Sequence, residues 1–338
     1  MKRHPDNEPP AAQTSDDDSW NRYWEHGFLT SCRNAFVANY DGELRTVWES
    51  FFEDLAPGTR VLDVCTGNGA IAMIANDFSR ERDLGFEIHG IDSAAIRPAE
   101  TVQAERERLA GIVFHPSTPA EDTGLPDGHF GALTGQYAYE YTDESRAAPE
   151  LARISAAGAR LQFVIHHTDS IVMETSREEL VNCGLVFEET AIFDRAREMI
   201  ELVGAVPAGE RAGLARDPAA ERRREALNRA AARLTEAVGT SPHPQLLQLA
   251  LDKVAGAYKA LGGGLEPALE ALSVGREMIL ANRERLLDLM AAGRTTADIR
   301  RMAGALEAAG FTVEPADEIR HNHGPLMGWV LRGRRRTT

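Results

Sequence analysis

Apolar positions along the 338 residues fall into two textures. From Arg60 to Ile165, short apolar runs alternate with amphipathic stretches. Arg60–Cys65, Phe86–Ile91, Ile112–Phe114, Phe130–Thr134 and Arg160–Ile165 read as strands. Ala70–Phe78, Ala94–Leu109, with Pro98 in its first turn, and Asp143–Ser155 read as helices. Such alternation predicts a parallel sheet covered on both faces. It stops near Ser170. From there to Gly293 the pattern is helical throughout, in blocks at about 174–201, 217–238, 244–261 and 266–291. Pro207-Ala208-Gly209, Ser241-Pro242-His243-Pro244 and Gly262-Gly263-Gly264 separate the blocks. Helix 297–309, its stop at Gly310, and strands Phe311–Glu314 and Gly328–Leu331 resume the alternation. The expected fold class is α/β: a doubly wound, mostly parallel, seven-stranded sheet interrupted by an all-helical insertion.

Two amphipathic stretches precede the sheet. Trp20, Tyr23, Trp24 and Phe28 share one helical face, and Leu44–Leu55 carries Val47, Trp48, Phe51 and Phe52 before Pro57-Gly58 ends it. The segments expected are a disordered polar tail (1–17), an N-terminal helical cap (18–56), a core (57–172), a helical insertion (173–293) and the rest of the core (294–333).

Composition narrows the setting. No apolar run approaches the ~18 residues of a membrane helix, so no membrane association is expected. Met1-Lys2-Arg3-His4-Pro5 leads into polar residues, which argues against a secretory signal. Cys32, Cys65 and Cys183 lie far apart with no CxxC, so neither a disulfide framework nor a zinc site is expected. A cytoplasmic setting follows. A net charge of −15 argues against nucleic acid as a partner, because a phosphate backbone calls for a basic face.

The sharpest local signal is Val61-Leu62-Asp63-Val64-Cys65-Thr66-Gly67-Asn68-Gly69-Ala70-Ile71-Ala72. From Gly67 it matches G-x-G-x-x-A, the dinucleotide fingerprint. Asp63, inside the strand, speaks against a pyrophosphate and for a ligand with a cationic group. Asp92, ending the next strand, can accept both hydroxyls of a ribose. The plainer reading is a carboxylate capping a turn and glycines making a tight bend.

Acid, glycine-rich turn and second acid together resemble the class I S-adenosylmethionine-dependent methyltransferases, whose first motif reads D/E-x-x-x-G-x-G. The likeness continues through Ala120-Glu121, Leu125-Pro126 and Phe130, then Gln136-Tyr137, Ala157-Gly158, Ala309-Gly310-Phe311 and Gly328-Trp329. It covers about 44–170 and 296–333. One departure is Pro119, which stands where an acid often holds the adenine amine. The resemblance implies S-adenosyl-L-methionine as cofactor, with Asp63, Gly67, Gly69, Asp92, Ala120, Glu121 and Gln136 as its binding residues.

Candidates for chemistry lie beyond the fourth and fifth strands. His166 and His167 follow strand five, where an imidazole can act as base. The alternative is one buried histidine, with the other capping the loop alongside Asp169 and Ser170. Tyr137, with Tyr139, Glu140 and Tyr141, either orients an acceptor or packs. The Asn/Asp-Pro-Pro-Tyr/Phe motif of nucleic-acid amino-methylating relatives is absent at Gln136-Tyr137-Ala138-Tyr139. His321-Asn322-His323 reads as a loop, and no metal site is expected. Trp20, Tyr23 and Trp24 either cover the cofactor or staple the first helix to the sheet. The function expected is methyl transfer to O or N of a small-molecule acceptor. Two alternatives stand beside it: a binding module that homodimerises through the helical insertion, and a nicotinamide-dependent oxidoreductase. The insertion is expected to choose the acceptor as a lid, or to form the dimer.

Overall fold

The computed structural model describes residues 16–31 and 38–337. Nearly all of the polar tail, and Cys32, lie outside the described residues. The strands are β1 (Arg60–Val64), β2 (Glu87–Ile91), β3 (Val113–His115), β4 (Phe130–Gln136), β5 (Ser155–Ile165), β6 (Phe311–Val313), β7 (Asp317–Arg320) and β8 (Leu326–Arg335). They form one sheet in the order β3-β2-β1-β4-β5-β8-β6, with β7 paired to β8. Neighbours from β3 through β5 run parallel, and β6 is antiparallel to β8. All of β1 after Arg60 is buried, which is why it reads as a continuous run rather than an alternation.

Three expectations are corrected. The sheet has eight strands, not seven. The extra one, β7, holds a single apolar residue, Ile319, among charged neighbours, so neither an apolar run nor an alternation marks it. His321-Asn322-His323 makes the turn from β7 to β8, with Asn322 and His323 at φ 46° and 59°. Ala94–Leu109 is not one helix. It breaks into helical turns at Pro98–Thr101, Gln103–Glu105 and Arg106–Leu109. Proline pushes the residue before it out of the helical region, and Arg97 sits at φ −140°, ψ 63°. Strand β5 starts at Ser155 rather than Arg160: Phe130 of β4 pairs with Ser155 and Ala132 with Arg160, and the shift in register between them accommodates the extra β5 residues.

The helices are α1 (Asp16–Glu25), α2 (Gly42–Glu53), α3 (Ala70–Glu81), α4 (Glu144–Ile154), α5 (Ile171–Gly184), α6 (Ile192–Gly204), α7 (Pro218–Thr240), α8 (Gln245–Ala260), α9 (Leu265–Ala292) and α10 (Thr296–Ala308). The block expected at 174–201 is thus two helices. A π-helical turn at Leu185–Glu189 and a left-handed Ala191 part them. No helix among the described residues is long and apolar enough to cross a membrane.

Contacts divide the chain into two units. One comprises Met1–Val164, Arg300–Ala316 and Val330–Thr338; the other comprises Ile165–Ile299 and Asp317–Trp329. The helical unit has its own core, in which Leu234, Leu247, Ala250, Ala257, Leu272 and Ile279 are sealed from solvent. In the sheet unit, α2 turns its apolar face inward. Trp48 and Phe52 are fully buried and stack with centroids 6.1 Å apart, and Phe52 also meets Phe78 of α3.

Phe52→Ala should therefore cost about 3–5 kcal/mol, the usual toll for emptying a buried aromatic site. Urea unfolding followed by near-ultraviolet circular dichroism would read it as a lower midpoint. An unmoved midpoint would remove Phe52 from the core.

Candidate functional site

Strand β1 delivers its carboxyl end into the turn Cys65-Thr66-Gly67-Asn68-Gly69, which opens α3. Gly67 and Gly69 lie at φ 53° and 86°. A Cβ on Gly67 would stand 2.4 Å from Trp24 Cζ2, and one on Gly69 would stand 2.8 Å from Phe114 Cζ. Both the left-handed backbone and the close approach of the rings require glycine at these positions.

Two carboxylates flank the turn. Asp63 accepts from Thr66 Oγ1 at 2.6 Å and from Thr134 Oγ1 at 2.9 Å. Burial pushes its pKa up to about 6; the two hydroxyls pull the other way, and the charge of Asp92 adds to the rise. Asp92 accepts from the Gly67 amide at 2.8 Å and the Ala94 amide at 2.9 Å. A third carboxylate, Glu121, accepts from the Asp143 amide at 2.7 Å.

These groups line an open cleft. Asp63, Asp92, Ala120, Glu121, Gln136 and Tyr137, all singled out in the sequence, come together there. Gly67 and Gly69 shape the turn rather than the lining. No Lys, Arg or His is among the described lining residues. Tyr137 holds a left-handed backbone at φ 53°, a strained state for a non-glycine residue.

His166 and His167 are not among the lining residues and belong to the other unit. Burial, helped by the positive charges of Arg285 and Arg294, pushes the pKa of His166 down to about 3. His167 accepts from the Asp169 amide through Nδ1 at 2.9 Å and stacks on Trp329 at 4.6 Å. Ser170 caps α5 by accepting from the Met173 amide. Tyr139 is fully buried and stacks on Phe163 at 4.9 Å.

Several functional contacts left no sign in the sequence. The Trp48 indole N–H donates to Gln136 Oε1 at 2.7 Å. An indole nitrogen only donates, so this bond fixes which end of the amide is oxygen. Gln136 Nε2 is left as a buried donor with no partner among the described residues. Asn68, between the two glycines, donates to the carbonyls of Trp24 (3.0 Å) and Phe28 (2.8 Å) and accepts from Thr101 Oγ1 at 3.0 Å. The Tyr23 hydroxyl donates to the Thr30 carbonyl at 2.9 Å, and the Ala95 amide donates to Asn21 Oδ1 at 2.7 Å. Tyr23 and Trp24 bury themselves with Ala94 and Ile96. The first helix is thus stapled to the sheet unit, and Trp20 and Trp24 also line the cleft.

The chain crosses from β1 outward to β3, returns through β4 and β5, and tucks its last strand between β5 and β6, antiparallel to β6. An acid and a glycine turn stand at the end of β1. The fold is that of the class I S-adenosylmethionine-dependent methyltransferases. No family model matches the sequence. No curated protein matches it either. Solved structures do. A geranyl diphosphate methyltransferase bound to GPP and sinefungin aligns at 18% identity over 36% of this chain and 44% of its own, with a TM-score of 0.30. A putative methyltransferase in complex with the Haloferax volcanii Trm112 activator aligns at 16% over 44% of this chain and 60% of its own, with a TM-score of 0.35. The YcgJ protein of Bacillus subtilis aligns at 14% over 87% of this chain and 98% of its own, with a TM-score of 0.36. The chain thus spans about half the length of the first two.

Asn68→Ala removes three side-chain bonds that hold the first helix and the segment after it. Amide exchange in residues 20–31 should accelerate about tenfold or more, since each buried bond contributes on the order of 1 kcal/mol and 1.4 kcal/mol is a factor of ten. Unchanged protection there would show that Asn68 is not the latch.

Proposed function

We propose that the chain is an S-adenosylmethionine-dependent methyltransferase acting on O or N of a small-molecule acceptor. The observation that carries this reading is the pair Asp63 and Asp92 at the glycine turn. A dinucleotide needs the turn's amides for its pyrophosphate. Here the Gly67 amide already donates to Asp92, and Asp63 adds a buried negative charge at the cleft. A phosphate meets repulsion there. A cofactor with an amino-acid ammonium and a ribose meets two acceptors. That weighs against a nicotinamide enzyme.

The cofactor supplies a methyl group already activated on a sulfonium. The residues present fit it. Asp63 would hold the ammonium, and Asp92, whose two carboxylate oxygens can each accept more than one bond, would take the ribose hydroxyls. Ala120 and Glu121 line the adenine end. Gln136 Nε2 donates to an acceptor atom of the bound ligand. Gly67 and Gly69 let the backbone approach closely. Tyr137 orients the acceptor, and the surrounding rings exclude water, so positioning rather than acid–base work carries the rate. His166 and His167, outside the lining, have no part in this scheme.

Binding of S-adenosylhomocysteine, which keeps the ammonium and the ribose, tests the reading. Asp63→Asn and Asp92→Asn should each weaken it about tenfold to a hundredfold, because a hydrogen bond to a charged group contributes ~1.5–3 kcal/mol. The pH dependence has a definite sign. The folded-state pKa of Asp63, about 6, lies above its ordinary 3.8, so the ligand-free protein gains stability from the neutral carboxyl. That gain is complete below the ordinary value and is lost as pH rises towards 6. A cationic ligand needs the ionised form, so its affinity should rise with pH and be up to about tenfold weaker at pH ~5 than at ~7.5. Asp63→Asn should flatten that profile. Calorimetry showing full affinity in both folded variants would refute the assignment.

A further inference from the structure

The cleft carries more aromatic surface than the shared sheet requires, and much of it comes from outside the strand–helix core. Trp20 and Trp24 belong to α1, and Tyr40 lies just before α2. Trp20 meets Tyr141 nearly edge-on, with centroids 5.6 Å apart at 84°, and stacks on Trp24 at 5.7 Å and 26°. A second pair, Tyr40 and Tyr137, meets at 6.5 Å and 74°. All five rings line the same cleft as Asp63, Asp92 and Glu121. Ring pairs set near right angles present faces and edges in several directions, as a partial box does. The face of each ring is electron-rich and attracts cations, and quaternary ammonium groups are the ligands such boxes hold best. Asp63, Asp92 and Glu121 add negative charge to the same lining. Gln136 Nε2, on a residue 8% exposed and without a partner among the described residues, marks the cleft as built to receive a ligand.

We infer that the acceptor taken by this cleft is an amine, held at its nitrogen by the aromatic box, and not a phosphate or a carboxylate. The inference rests on the methyltransferase reading. The balance of the step is simple. The nitrogen lone pair forms the new N–CH3 bond as the S–CH3 bond breaks, and the breaking pair stays on sulfur as a neutral thioether. A tertiary amine ends as a quaternary ammonium. An amine of any degree that arrives protonated first gives that proton to solvent, because a protonated nitrogen has no lone pair with which to form the bond. In every case the positive charge moves from sulfur to nitrogen and stays inside an anionic, ring-lined cavity.

The test uses the full chain saturated with S-adenosylhomocysteine, whose own binding is measured first. Choline, its neutral isostere 3,3-dimethylbutan-1-ol and phenyl phosphate are then titrated by calorimetry. Choline should bind about fivefold or more tightly than the isostere, phenyl phosphate should not bind, and Tyr40→Leu and Trp20→Leu should erase the preference for the cation. Tyr141→Leu, at a half-buried position, keeps the test open if Tyr40→Leu fails to fold. Equal binding of choline and its isostere, binding of phenyl phosphate, or choline binding only when S-adenosylhomocysteine is absent would overturn the amine assignment and leave the cofactor reading intact. Failure of S-adenosylhomocysteine itself to bind would overturn the reading beneath it.

Discussion

The buried charge of Asp63 is the constraint on which the site depends. A carboxylate placed inside an apolar strand is costly unless something answers it. The protein answers it only in part, with the hydroxyls of Thr66 and Thr134 and the backbone amide of Ala72, all neutral donors. What remains is a standing preference for a positive ligand. The rest of the turn conforms to that preference. Asp92 consumes the amide that an anion would want, and the glycines bring the backbone close without side chains.

The parts of the fold that left a trace in the sequence are those whose signal is local. A strand buried on both faces, such as β1, must be an apolar run, so Asp63 stands out within it. Asp92 follows an equally plain strand. The Pro98 region misleads because proline favours a helix's first turn while its ring pushes the preceding Arg97 out of the helical region, so Ala94–Arg97 cannot join the helix. Strand β7 was invisible because one buried isoleucine among charges carries no period. The Trp48–Gln136 bond joins positions 88 residues apart, and no spacing rule reaches that far. Asn68 was hidden differently. It sits in the middle of the most legible motif of the chain, yet it faces α1 rather than the cleft, and a motif says nothing about which way its variable residue points.

The two units divide the physical tasks. The sheet unit holds the carboxylates, the turn and the rings. The helical unit is a separate body with its own sealed core, and its buried Glu179, Asn182 and Arg285 give that core a polar interior as well. Histidines at the end of β5 looked like catalytic candidates by position. Their burial, the depressed basicity of His166 and the stacking of His167 on Trp329 tie them instead to the interior of the helical body.

The ring of Trp24 lies where a single added methyl on Gly67 would collide with it, and its carbonyl is held by the side chain of Asn68 one residue on. Two adjacent turn residues are thus coupled to Trp24, Gly67 to its ring and Asn68 to its carbonyl, and that ring lies against the indole of Trp20. Both indoles line the cleft, so a ligand entering it changes the surroundings of two fluorophores. The amino-terminal helix thereby carries an optical gauge of occupancy that needs no label.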